Sequence, residues 1–189
     1  MIESRVGRYL ARSREYERLK QPWLPVYQAL AEAFLSRKAD FTRASGLDEF
    51  LRMDEVFDNT GQFAAHVFAS VCLSMLWPDA ARTFNIVPVK AVKDSPGVEA
   101  YFRAVTEKMH LAMDRSEAGL LLAFMEYFLD EGIFGTAGVA NFDGPEGDSS
   151  VPVVYEAWDV KSMCISQNAR GYVDTIFFKI NRTVRQVYE

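Results

Sequence analysis

Residues 117–131 set the terms for the whole chain. Leu120, Leu121, Leu122, Phe124, Met125, Tyr127, Phe128 and Leu129 cover nearly every side of the helix predicted there, and Glu117, Glu126, Asp130 and Glu131 are its strongly polar interruptions. A helix that apolar must be packed over most of its circumference, so it is expected to be the most buried element of the fold. Ser116 is the expected cap at its start. Gly132 is the left-handed residue expected to close it, with Gly135 and Gly138 leaving the next backbone free to turn into an extended segment. Beyond the polar loop Asp143-Gly144-Pro145-Glu146-Gly147-Asp148, two β-rich runs, residues 151–165 and 172–180, flank Asn168-Ala169-Arg170-Gly171. Asn first and Gly last suits a type I turn followed by a glycine bulge, so the two runs should pair antiparallel as one long hairpin.

Upstream, the pattern is helical. Arg5, Arg8 and Arg12 recur at spacings of three and four, which places them on one stripe of a helix over residues 4–20. That helix reads as an exposed basic arm. Pro22 and Pro25 interrupt it, and Pro25 fits the first turn of a second helix whose apolar face is Tyr27, Leu30, Ala31, Phe34 and Leu35. Arg37 and Lys38 suit its C-terminal end. A loop over residues 42–46 and a short helix carrying Leu47, Phe50 and Leu51 should follow. Asn59 or Thr60 is placed to cap a third long helix with an apolar stripe of Phe63, Ala64, Val67, Phe68, Val71, Cys72 and Met75. Ala65, Ala69, Ser70 and Ser74 keep its flanks small, and Trp77-Pro78 stops it. Phe84, Ile86 and Pro88 alternate as in a short strand or extended edge. Residues 97–113 return to helix, with Val98, Tyr101, Phe102, Val105, Met109 and Met113 at helical spacing.

Several helices, a glycine-rich transition and a hairpin define an α+β fold. At 189 residues and 49% hydrophobic content the chain can bury one core, so residues 1–189 read as a single region. Its parts are a basic helical arm at 1–20, helices at 21–132, a β-rich part at 133–182 and the start of a helix at 183–189. No apolar run reaches the ~20 residues of a membrane span, and the N-terminus has no apolar export signal. Cys72 and Cys164 fall in predicted core segments, where free thiols act as small hydrophobes. The net charge of −5 is unevenly spread: residues 1–43 hold nine Lys/Arg against five Asp/Glu, and residues 114–159 hold one against ten.

Chemical motifs are sparse. His66 and His110 lie in separate helices without a His or Cys at metal-ligand spacing, and read as packing or surface residues. Gly132, Gly135 and Gly138 superficially resemble a phosphate-binding loop, but they follow a helix and lack the Gly-Lys-Ser/Thr ending. Asn141, Asp143, Glu146 and Asp148 do not follow an EF-hand spacing. Trp23, Trp77, Trp158, Tyr155 and Phe177 are aromatic enough to stack on bases, yet at these positions read as core or interface anchors. The sequence therefore predicts no catalytic, cofactor-binding or metal-binding residue.

Five segments in order carry a resemblance: Tyr16-Glu17-Arg18-Leu19-Lys20 with the helix to Phe41; Phe57-Asp58-Asn59-Thr60-Gly61; Ala69-Ser70 through Leu76-Trp77-Pro78 to Phe84; Gly132-Ile133-Phe134-Gly135-Thr136; and Val154-Tyr155 through Gln186. Together they resemble the portal, or head-to-tail connecting, proteins of short-tailed bacteriophages. The resemblance implies a structural virion protein without enzymatic activity or cofactor, in which Asp58, Asn59, Thr60, Gly61, Trp77, Pro78, Gly132, Gly135 and Thr136 are structural motif positions. Portals of this family form a homo-oligomeric ring of about a dozen subunits at one capsid vertex. The implied partners are other portal subunits, the terminase motor, the capsid and the tail adaptor. DNA passes through the channel during genome packaging and ejection without sequence-specific binding, and no membrane is involved. The implied location is the virion, at the portal vertex, after assembly in the cytoplasm of the bacterial host.

In that family the N-terminal part contributes to the wing, an outward-facing α+β region, whereas stem, clip and crown come from later sequence. Thr183 and Gln186 have the spacing of a capping box, and the sequence stops three residues later, so the chain is expected to be the N-terminal part of a truncated or split portal. The rival expectation is a small metal- or nucleotide-using enzyme, its site at the turn from Gly132 to Gly138 and the acidic loop. A third is direct nucleic-acid binding by the arginine stripe, with a steep salt dependence.

Overall fold

Prolines divide the first two helices, as their chemistry requires. Helix α1, Ile2–Lys20, ends just before a 3-10 turn, Gln21–Trp23, that contains Pro22. Helix α2, Leu24–Phe34, carries Pro25 in its first turn, where no amide hydrogen is needed. The computed structural model describes residues 2–42, 58–78, 82–89, 97–145, 150–180 and 182–185. The predicted short helix at Leu47, Phe50 and Leu51, the acidic residues Glu146 and Asp148, and Gln186 lie outside the described residues. Among the described residues three further helices follow, α3 (Thr60–Leu76), α4 (Val98–Met113) and α5 (Leu120–Phe134), and then four strands, β1 (Gly138–Asp143), β2 (Val153–Trp158), β3 (Met163–Gln167) and β4 (Val173–Phe178). The fold is α+β, with two small antiparallel sheets, β1–β2 and β3–β4.

The single long hairpin expected from the sequence is thus divided. Asp159 caps a 3-10 turn, Val160–Ser162, by accepting a hydrogen bond from the Lys161 amide at 3.1 Å, and this turn breaks the β-rich run. The part before it pairs with β1, and the part after it with β4. The β3–β4 turn itself forms as read: Gly171 has φ +81°, and the Asn168 amide donates to the Tyr172 carbonyl at 2.8 Å. Pairing runs from Met163↔Phe178 to Gln167↔Val173, with an irregularity at Ser166/Gln167.

Contacts separate the chain into two compact units. One comprises Met1–Ala65, Ile133–Gly138 and Trp158–Glu189. Its core joins Ala31, Ala39, Phe41, Phe134 and Val160, flanked by Leu24, Tyr27, Leu30 and Ile133. Tyr27, Phe41 and Phe134 form an aromatic triangle with centroids 5.3 to 5.7 Å apart. The buried Gln28 amide donates to the Ala39 carbonyl at 2.8 Å and to Glu32 at 2.6 Å, while its oxygen accepts from the Thr42 amide at 3.2 Å. Those bonds fix the turn after α2 without leaving a buried polar atom unpaired.

The other unit comprises His66–Gly132 and Val139–Ala157. Here the expected alternation at 84, 86 and 88 holds as an extended segment against α4. The Ile86 amide donates to the Thr106 hydroxyl at 3.1 Å, and His110 Nε2 lies 3.1 Å from the Phe84 carbonyl. The His110 ring stacks on Phe84 at 4.3 Å and meets Trp77 at 5.4 Å, so this histidine is a packing residue. Of the apolar positions of α4, Val98, Phe102, Val105 and Met113 are half-buried and Tyr101 and Met109 exposed, whereas the polar Thr106 and His110 are buried. Hydrogen bonds to the extended segment explain why two polar side chains face inward.

Helix α5 departs from expectation at both ends. Ser116 belongs to a separate 3-10 turn, Ser116–Ala118, and the Gly119 carbonyl accepts the bond from the Ala123 amide at 2.9 Å. At the other end Gly132 stays helical, and Gly135, with φ +68°, is the left-handed residue that closes the helix. On the exposed side, Leu122 remains 73% accessible and Leu121 is also exposed, while Leu129 is 1% accessible. Every residue from Ala123 to Asp130 is buried or half-buried, so the helix is packed over most of its circumference, with Leu121 and Leu122 the apolar exceptions.

Helix α3 shows the largest correction. Ala69 is its buried residue, at 0%, and the large side chains Phe63, Val67, Phe68, Val71 and Met75 of the expected core stripe are exposed, Met75 at 79%. Of the small flank, Ala69 is buried and Ala65 half-buried while Ser70 and Ser74 are exposed, and Cys72 of the apolar stripe is half-buried. Within this unit Gly132 packs on one side of the Phe68 ring: a Cβ there would lie 2.7 Å from it.

Candidate functional site

The motif positions fall at three junctions. Asp58 accepts hydrogen bonds from the Thr60 hydroxyl at 2.6 Å and the Thr60 amide at 2.9 Å, which hold its carboxyl below the usual carboxylate range. Asn59 supplies the carbonyl that accepts from the Phe63 amide at 2.9 Å, so the side-chain acceptor at the start of α3 is Asp58 and the sequence reading was one residue late. A Cβ on Gly61 would sit 3.1 Å from the Phe34 ring. These four residues join the start of α3 to the end of α2. Trp77 and half-buried Pro78 end α3, and the indole N–H donates to Asp114 at 2.8 Å, tying that end to the residue after α4. The third junction is Gly132, Gly135 and Thr136 around the end of α5.

Thr136 lines a groove of about 450 Å³ with Tyr16, Leu19, Lys20, Trp23 and Met163. Lys20 organises it. Its ammonium donates to the carbonyls of Val160, Lys161 (2.9 Å) and Met163 (2.7 Å), closing the acceptors around the 3-10 turn before β3. Burial lowers its pKa, opposed by Cys164, Asp159 and Glu17. Tyr16 meets Phe177 at 5.5 Å, and Lys161 pairs with Asp40 nearby. The last turns of α1 are therefore anchored on the β3–β4 sheet, and only the earlier turns remain an exposed arm. Nothing local in the sequence singles out Lys20, because its acceptors lie about 140 residues away.

Lys20→Met should lower stability by about 2 kcal/mol, since three carbonyls lose a shared donor while the aliphatic packing is kept. Urea unfolding measures it; a change below about 0.5 kcal/mol would show that water replaces the ammonium.

The groove is poorly suited to nucleophilic chemistry. Burial pushes the Cys164 thiol up, away from the thiolate that such chemistry needs. At the rival location, Asn141 and Asp143 are exposed, and among the described residues no three His, Cys, Asp or Glu gather to hold a metal. Among the described residues no helix is long and apolar enough to cross a membrane.

Burial also predicts an alkaline response. Tyr27, Tyr127 and Tyr155 are pushed above their usual 10.0, and Cys164 above 9.0, in each case chiefly by burial. The folded chain thus favours their neutral forms. This stabilisation is complete below the unfolded values and is lost as pH rises through the folded ones. Lys20, lowered from 10.5, acts oppositely: its folded form gives up the proton first, so it adds stability as pH approaches 10.5. Tyr16, held below its usual 10.0 by hydrogen bonds with Ser166 and Arg12, acts in the same sense as Lys20. Cys164→Ala removes one of the raised groups, so its urea midpoint should fall less than that of the wild type as pH rises beyond 9.0; equal profiles for the two would show the thiol to be hydrated in the folded chain.

Large apolar side chains left in solvent along one helix define a class: a protein with a surface suited to packing against other proteins. A family model described as bacteriophage head to tail connecting protein matches residues 7–189, and the chain belongs to this family. Membership gives it a structural role at the phage head–tail connection, implies assembly with other virion components and implies a place in the virion. No curated protein matches the chain.

Proposed function

We propose that the chain is a portal-type subunit, contributing a wing-like region to a homo-oligomeric ring at one capsid vertex. Through that ring DNA enters under the terminase motor and leaves at ejection, without sequence-specific contacts, and onto it the tail adaptor docks. The subunit joins the particle as it assembles in the host cytoplasm. The family match across residues 7–189 carries this reading. The exposed apolar face of α3 supports it, since a subunit completed by neighbours leaves such a face uncovered when alone. In this reading residues 1–189 work as one region. Asp58, Asn59, Thr60, Gly61, Trp77, Pro78, Gly132, Gly135 and Thr136 hold helix ends in place and perform no chemistry.

Immunogold labelling of intact and tail-stripped virions with an antibody to this chain tests the assignment. Label should collect at the single vertex where head meets tail. Label spread over the shell, or none in purified particles opened at that vertex, would overturn it.

A further inference from the structure

The face of α1 that seats Tyr16 and Lys20 on the β3–β4 sheet continues along the helix, at spacings of three and four, through Ser13, Leu10, Tyr9 and Val6. There it runs past its own sheet: Val6, Tyr9 and Leu10 are exposed, beside Arg5 and Arg12. A complementary surface exists on the second unit. Val67, Val71 and Met75 form an outward ridge at spacing four on α3. Acidic side chains stand at both ends of that ridge. Exposed Glu131 adjoins Gly132, which abuts Phe68, and exposed Asp114 is bonded to Trp77 at the helix end.

We infer that the free half of α1 docks on α3 of a second copy of this chain. The Val6–Leu10 ridge lies beside the Val67–Val71–Met75 ridge, as in helix packing through rows of residues four apart. Arg5 and Arg12 are about 10 Å apart along α1, and Phe68 and Trp77 about 13 Å apart along α3, so the cations reach the acids at the two ends. Net charge favours this pairing. The unit carrying α3 holds six Lys/Arg against thirteen Asp/Glu, and the unit carrying α1 holds fifteen against thirteen. A second copy fits better than nucleic acid, because a phosphate backbone offers nothing to Val6 and Leu10. Donor and acceptor are different patches, so the contact is head-to-tail and can close into a ring. Half a helix buries less than the roughly 800 Å² per partner of a standard interface, so one such contact is weak.

This contact deepens the ring reading above, and its test is separate from the vertex labelling. Sedimentation velocity over a concentration series, at low and high salt, reads self-association of the full chain. The wild type should associate, with an affinity about tenfold weaker at high salt. Leu10→Asp, Val71→Asp, the pair Arg5→Glu and Arg12→Glu, and Glu131→Arg should each abolish association with circular dichroism unchanged. Mixing the double glutamate variant with the pair Glu131→Arg and Asp114→Arg should restore it. A wild type monomeric at every concentration, association that survives all four variants, or a mixture that stays monomeric would overturn the contact. So would binding of duplex DNA in place of self-association, lost in the double glutamate variant and kept in Leu10→Asp. Vertex labelling with a monomeric chain would leave the portal reading standing, and self-association without vertex label would remove that reading alone.

Discussion

Phe134→Ala is expected to be the most damaging single truncation, costing about 4 kcal/mol. Phe134 is 7% accessible and closes the aromatic triangle, edge-on to both Tyr27 at 5.7 Å and Phe41 at 5.3 Å. Alanine would remove the buried ring, two aromatic pairs and the filling between α2 and the turn that Gln28 fixes. The cavity could not collapse easily, because Ala31 and Ala39 already bring the surrounding backbones close. Phe134→Leu should recover more than half of the loss by restoring volume without the ring geometry. Chemical unfolding followed by tryptophan fluorescence measures both. A loss under about 1 kcal/mol for the alanine variant would mean that the triangle is not the core of its unit.

The second large effect lies five residues earlier on the same helix, in the other unit. Leu129→Ala should cost about 3 kcal/mol, from a fully buried side chain with no solvent to fill the gap. Leu122→Ala, chemically the same change at an exposed position, should stay within about 0.5 kcal/mol. Between them stands Phe124, half-buried beside Tyr127 at 6.0 Å and Phe128 at 6.3 Å, for which about 2 kcal/mol is expected. Equal losses at Leu122 and Leu129 would show that Leu122 is packed as tightly as Leu129.

What the sequence determined by itself was whatever short-range chemistry controls. Pro22 and Pro25 separated α1 from α2, Trp77-Pro78 ended α3, and the Asn168–Gly171 turn set the β3–β4 pairing, because each acts through backbone geometry within a few residues. The portal resemblance was legible in the same way, as ordered segments along the chain. Tertiary structure decided which face of each helix turned inward. On α3 an apolar stripe and a small-residue flank both offered themselves, and the fold buried Ala69 while leaving Phe63 and Met75 exposed. Between Gly132 and Gly135, contact with Phe68 took the first for packing and left the second to close the helix. Lys20 found its carbonyls, and Thr106 and His110 their extended segment, across distances along the chain that no local pattern encodes. Periodicity reports which side chains could be buried; competition for finite contact area among distant segments determines which ones are.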